Sequence, residues 1–151
     1  MKLSLDALHL LNGLIEQVGR TSKNVRIDVL KCIGEKGVKK ILELHDILHC
    51  LPLERLAIET IEEYNIPTGN FDNIKYAEER EEFIPLPYSI GMTISMALMR
   101  YEPTMDGIYD ILLKTYNSKV IQRMAYYDND LFTVNSSYLF ACIEDNCIYE
   151  V

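Results

Sequence analysis

The chain has 151 residues, 48% apolar and 25% charged, which argues against a disordered polymer and for one domain able to bury its own core. Its formal charge of −8 is uneven: residues 1–60 hold nine Lys or Arg and eight Asp or Glu, whereas residues 61–151 hold six and fifteen. That imbalance argues against direct binding of nucleic acid, which needs a basic face, and favours a basic protein partner drawn in by long-range attraction.

The first element expected is a helix over Leu5–Val18, with Leu8, Leu11, Ile15 and Val18 on one stripe, Ser4 as N-cap and Gly19 as stop. Asp6, His9, Asn12 and Glu16 interrupt it at helical intervals, so it reads as amphipathic and not as a signal segment. No run approaches the ~18 apolar residues of a membrane span, and the expectation is a cytoplasmic protein with no membrane partner. The four cysteines, Cys32, Cys50, Cys142 and Cys147, form no CxxC pair and fit a reducing compartment. A second helix is expected near Val25–Ile33, capped by Asn24 and ended by Gly34. A third follows at about Val38–Cys50, and Pro52 opens a fourth over Leu53–Tyr64.

Within these helices, Val25-Arg26, Leu30, Ile33-Gly34-Glu35 and Gly37 resemble the first helix and turn of a short HEAT-like repeat. Leu14-Ile15-Glu16 and Ile41-Leu42-Glu43-Leu44 resemble second helices of such units, and Pro52-Leu53-Glu54-Arg55 the start of another. The resemblance spans residues 5–64 and implies stacked helical hairpins capped by the rest of the chain. Arg55 departs from the pattern in not following a valine, and the turn lacks the usual Asp-Pro.

Residues 65–75 carry Pro67, Gly69 and three Asn, and read as a loop. Tyr76–Phe83, with Glu78, Glu79, Glu81 and Glu82, reads as a short acidic helix broken by Pro85 and Pro87. A helix from Ser89 to Tyr101 is apolar nearly all round, the mark of a central buried helix. Met105–Tyr116 reads as an amphipathic helix, and Val120–Tyr127 fits either strand or helix. Leu131–Val134, Tyr138–Ile143 and Cys147–Val151 are short and apolar, separated by Asn-Ser-Ser and by Asp145-Asn146, which are strand and hairpin signals. With Asp145-Asn146 as a two-residue turn, Cys142 pairs with Tyr149 and Cys147 with Glu144. The expected fold is therefore α+β, mainly α, in one domain over residues 1–151. It comprises a helical hairpin pair over 1–64, a loop and acidic segment over 65–88, and helices followed by a small antiparallel β-hairpin or meander over 89–151.

The sequence carries no GxSxG, P-loop, GxGxxG or HExxH pattern. His45, His49 and Cys50 have two histidines at zinc-binding spacing, but lack a companion ligand pair. Gly34-Glu35-Lys36-Gly37 has the form of a phosphate-clamping GxxG, but Lys40 stands where an aliphatic residue belongs. No catalytic residue, metal or cofactor is expected. The expected partner-binding residues are Glu78, Glu79, Glu81, Glu82, Tyr126, Tyr127, Asp128 and Asp130. On a strand, two adjacent tyrosines cannot both point inward, so one of Tyr126 and Tyr127 should stand exposed beside acid as an anchor. In general character the chain resembles the small acidic immunity proteins that neutralise bacterial toxins. The expected function is non-enzymatic inhibition of a basic protein partner, such as a nuclease-type toxin. The alternatives are an adaptor or phage-encoded antagonist of a host protein, and a small carboxylate- or metal-dependent enzyme.

Overall fold

The computed structural model describes residues 1–150, and all regular secondary structure among them is helical. Helix α1 (Leu5–Ser22) starts where the Ser4 hydroxyl accepts the Ala7 N–H at 3.1 Å and ends at Lys23, whose backbone is left-handed. It runs past Gly19, which is a point of close approach to the Asn24 carbonyl and not a stop. Leu8, Leu11, Ile15 and Val18 are fully buried, and so nearly are Ala7, Leu10 and Leu14. Each such Leu or Ile contributes roughly 1.5–3 kcal/mol. The polar residues Asn12 and Glu16, whose spacing suggested a wet side, are buried as well.

Helix α2 (Arg26–Glu43) bends at Gly34, where φ is 72°, a backbone that an L side chain rarely adopts. The short α3 (His45–Leu48) and α4 (Leu53–Glu63) follow, the latter opened by Pro52. Helix α5 (Asn73–Glu79) is capped by the Asp72 carboxylate, which accepts the Lys75 N–H at 3.0 Å. It begins before the expected acidic helix and ends before Glu81. Helix α6 (Pro87–Leu98) is opened by Pro87 and not by Ser89. Helix α7 (Ile108–Asn117), the short α8 (Lys119–Arg123) and α9 (Ser136–Asp145) complete the chain. Helix α1 lies at the centre and packs on α2, α4 and α6. It meets α6 so closely that a Cβ on Gly91 would lie 2.6 Å from the Gly13 nitrogen.

The expected C-terminal β-hairpin is absent, and with it the α+β class: no strand occurs among the described residues, only one isolated bridge between Lys2 and Thr104. The physical reason lies in the polar residues taken for turns. Asn135 is an N-cap, its side-chain oxygen accepting the Tyr138 N–H at 2.9 Å. Asn146, with φ 47°, is the left-handed C-cap of the same helix. Between them Leu139, Cys142 and Ile143 are buried at i, i+3, i+4 spacing. Leu131–Thr133 is a 3-10 turn. Cys142 and Cys147 are free thiols five residues apart at the end of α9, and Val151, the last residue of the expected strand, lies outside the described residues.

Candidate functional site

The two acidic segments expected to bind a partner meet on one surface. Phe83 stacks on Phe132 with ring centroids 6.2 Å apart, which joins the turn after α5 to the segment before α9. Tyr126 packs edge-on against Tyr76 at 5.2 Å and Phe71 at 5.6 Å. Glu78, Glu79, Glu81, Glu82, Asp128 and Asp130 are all exposed around these rings. Asp128 is held by Arg123 at 2.6 Å, and that hydrogen bond keeps its carboxyl below the usual range. Glu79 lies 4.0 Å from Arg80, whose guanidinium sits over the Tyr76 ring at 3.5 Å. Glu78, Glu81, Glu82 and Asp130 form no ion pair among the described residues. Large apolar side chains stand out among them: Phe83 and Leu86 are each 70% exposed.

Tyr126 and Tyr127 do part company. Tyr126 is at the surface and Tyr127 is 3% exposed. They lie in the irregular turn after α8, so the separation comes from turn geometry and not from strand alternation.

Beneath this face lies a buried ionic network. Glu16 of α1 accepts Nε–H of Arg26 at 2.5 Å, Nε–H of Arg20 at 2.8 Å and the Tyr127 hydroxyl. Arg26 also donates Nη1–H to the Ile121 carbonyl at 3.2 Å and Nη2–H to the Met124 carbonyl at 3.1 Å, closing the end of α8. Arg20 donates to the Pro85 carbonyl at 2.6 Å. Asn73 donates to the Ala125 carbonyl and to the Tyr127 oxygen, both at 2.9 Å. Burial alone would push the Glu16 carboxyl up, but the charges of Arg26 and Arg20 and the hydrogen bonds hold it below the ordinary range. Burial, reinforced by the Glu16 charge, raises Tyr127, which therefore stays neutral. A second buried chain runs from the Tyr116 hydroxyl to Asn12 Oδ1 at 2.7 Å, and from Asn12 Nδ2–H to Ser95 Oγ at 2.8 Å.

Two clefts stand out, and the first touches this framework through Arg26 and Tyr116. The first, of about 300 Å³, is lined by Val25, Arg26, Phe71, Tyr116, Ile121 and Tyr126, among others. The second, of about 400 Å³, gathers all three histidines of the chain, His9, His45 and His49, with Asp6, Asp46 and Tyr88. His45 and His49 place Nδ1 on the carbonyls of Leu42 at 2.8 Å and Asp46 at 2.7 Å, and His9 places Nε2 on that of Tyr88 at 2.9 Å. Among the described residues no three His, Cys, Asp or Glu side chains are grouped to hold one metal ion. Cys50 is not among the residues lining the cleft; its thiol faces the Asp46 carbonyl at 3.8 Å.

Sequence reasoning missed Glu16, Arg20 and Arg26, a cluster that an i, i+4 pair on α1 completes only where the start of α2 docks on it, and it did not join His9 to the later histidines. It also passed over Phe71, Phe83 and Phe132, although each stands within two residues of an acid in the sequence. In comparisons with known proteins no family model, curated protein or solved structure matches the chain, so a functional reading rests on this geometry.

Proposed function

We propose that the chain is a non-enzymatic binding protein that docks and neutralises a basic protein partner through the surface formed by α5, the turn after it and the segment 126–132. The observation that carries this reading is the joining of two acidic segments around exposed aromatic rings. Unpaired carboxylates at Glu78, Glu81, Glu82 and Asp130 supply steering, and Tyr126, Phe83 and Phe132 supply area that a partner can desolvate. Apolar side chains set within charge are the composition of an interface more than of a solvated face. An immunity protein for a nuclease-type toxin is the form of this function that small size and acidity suit, by analogy of class alone.

The test is site-specific photo-crosslinking in the native host, with the crosslinker at Tyr126 or Phe83 and, as control, at Lys39 on α2. The expected result is one dominant crosslinked protein of basic isoelectric point, captured from the first two positions and not from Lys39. Its association should weaken as salt rises. Capture of an acidic protein, or equal capture from Lys39, overturns the reading.

A second reading, a small enzyme, draws on one observation: the cleft that collects all three histidines beside two aspartates, where one group could accept and another donate a proton. Turnover of a hydrolytic substrate panel that disappears in His45→Ala and His9→Ala, with the fold retained, would favour it over the first.

A further inference from the structure

The cavity of about 300 Å³ beside Tyr126 combines apolar walls with an incompletely matched charge. Its walls are Val25, Ile27, Phe71, Ile121, Ala125 and Tyr126. Tyr116 contributes its ring, since its hydroxyl is committed to Asn12. Among the lining residues the one charged group is Arg26, itself 6% exposed.

A guanidinium has five N–H donors. Those of Arg26 reach Glu16 and the carbonyls of Ile121 and Met124, and two of the five find no acceptor among the described residues. The charge is likewise unbalanced. Glu16 is one carboxylate facing two guanidiniums, Arg26 at 2.5 Å and Arg20 at 2.8 Å, while Tyr127 is a neutral donor. The cluster thus holds one more guanidinium than carboxylate, and Arg26, one of those two guanidiniums, lines the cavity.

We infer that this cavity binds a small apolar carboxylate, a single aromatic ring or a short acyl chain carrying one acid group. The carboxylate would lie against Arg26 and the apolar part against Phe71, Ile121 and Tyr126. A carboxylate matches the planar fork of a guanidinium and supplies both the missing acceptors and the missing charge. The cavity volume is at the low end of the ~300–1,000 Å³ range of small-molecule sites. An organic phosphate fits less well, because its greater charge would meet one incompletely used guanidinium and otherwise apolar walls. This inference does not rest on the acidic docking face, although Tyr126 belongs to both. The acid groups of that face oppose an incoming anion at long range, so added salt should leave carboxylate binding unchanged or strengthen it, opposite to the response of a basic partner.

The experiment is a titration of the isotope-labelled full chain with phenylacetate and hexanoate, followed by amide chemical shifts. Phenylacetamide, hexanamide and inorganic phosphate are titrated in parallel. The expected result is saturable shifts at Ile27, Gln122, Ala125 and Tyr126 with at least one of the two acids, and at least tenfold weaker binding of its amide and of phosphate. Gln122 is exposed at the rim, so Gln122→Trp should keep the fold while narrowing the entrance and weakening the acid at least tenfold. Arg26→Lys keeps the charge but loses the fork, and where it folds it should weaken the acid similarly. Charge reversal at Glu81 and Glu82 should leave acid binding in place. Equal binding of acid and amide, indifference to Gln122→Trp, or no saturable shift with either acid overturns the inference and leaves the acidic docking face untouched.

Discussion

Glu16→Gln is the substitution that most directly tests how the interior is held together. Glu16 is 2% exposed and accepts from Arg20, Arg26 and Tyr127. Glutamine keeps the shape and one acceptor oxygen but removes the charge between the buried Arg26 guanidinium and the partly buried one of Arg20. Breaking a buried ion pair by removing one partner costs about 3–5 kcal/mol, because the other charge is left uncompensated. For a domain of this length each kcal/mol shifts Tm by roughly 2–4 °C. A drop of about 6–20 °C in a circular-dichroism melt is therefore expected, with urea unfolding giving the free energy directly. The pH dependence supplies the sign. The folded Glu16 carboxyl lies below its ordinary value of 4.5, so its contribution is fully present above the unfolded value and is lost as pH falls through the folded one. The wild type should lose stability relative to Glu16→Gln as pH drops below 4.5, narrowing the gap between them. A loss under ~1 kcal/mol at neutral pH, the scale of exposed pairs, would refute the reasoning and mean that the cluster is effectively hydrated.

Gly91→Ala should destabilise by about 1–3 kcal/mol, since its Cβ would lie 2.6 Å from the Gly13 nitrogen and 2.9 Å from its Cα. Gly107→Ala, with no neighbour nearer than Thr104 Oγ1 at 3.6 Å, should stay within ~0.5 kcal/mol in the same urea titration. Glu81 has a left-handed backbone at φ 53°, so Glu81→Gly should raise stability by roughly 0.5–1 kcal/mol despite glycine's greater entropy loss. Reversing Glu78, Glu82 and Asp130 to Lys should leave the melt nearly unchanged, at ~0.5 kcal/mol per exposed site. The same variant should slow association with the basic partner and flatten its salt dependence in stopped-flow traces. Tyr126→Ala should instead mainly speed dissociation.

How much of this was legible depended on whether a signal was local. Ser4 and Pro52 mark the starts of α1 and α4, and Gly34, expected as a stop, marks the kink inside α2, because caps, a missing N–H and a positive φ act within one turn of chain. Gly19 misled because its lack of a side chain serves the turn that ends α1 three residues later, where the chain folds back and the Asn24 carbonyl comes within 3.1 Å of where a Cβ would lie. The C-terminal hairpin misled for a different reason. Asparagine satisfies backbone groups at a helix cap by the same short-range chemistry it uses in a turn, so Asn135 and Asn146 fit both readings. The burial of Leu139, Cys142 and Ile143 at helical spacing was obscured because Tyr138–Ile143 is apolar throughout. Of the site, the acidic segments were visible as composition, but their joining was not, since the Phe83–Phe132 stack links residues 49 positions apart. Glu16 was the hardest to read. On a helical wheel it belongs to the polar side of α1, and only the docking of Arg26 and Tyr127 turns that side inward.

That inward turn bears on the surface above it. Tyr127 is fixed from three sides, by Glu16, by Arg20 Nε at 3.0 Å and by Asn73, and Tyr126 is the next residue back along the chain. Asn73 belongs to α5, whose exposed face carries Glu78 and Glu79, and the same side-chain amide also ties down the Ala125 carbonyl. Through Asn73 and Tyr127, the helix that bears the acid and the turn that bears the aromatic anchor are held to one buried framework. The ordering of a side chain at an interface costs ~0.5–1.5 kcal/mol each when it occurs on binding. Here the Phe71–Tyr126–Tyr76 cluster is in place beforehand, so less of that cost falls on association. A buried ion cluster is weak evidence of stability, because well-packed apolar side chains of similar volume are often as stable. Fixing one geometry for a surface aromatic among carboxylates is a role that apolar packing would fill less specifically, since it imposes no fixed donor and acceptor directions.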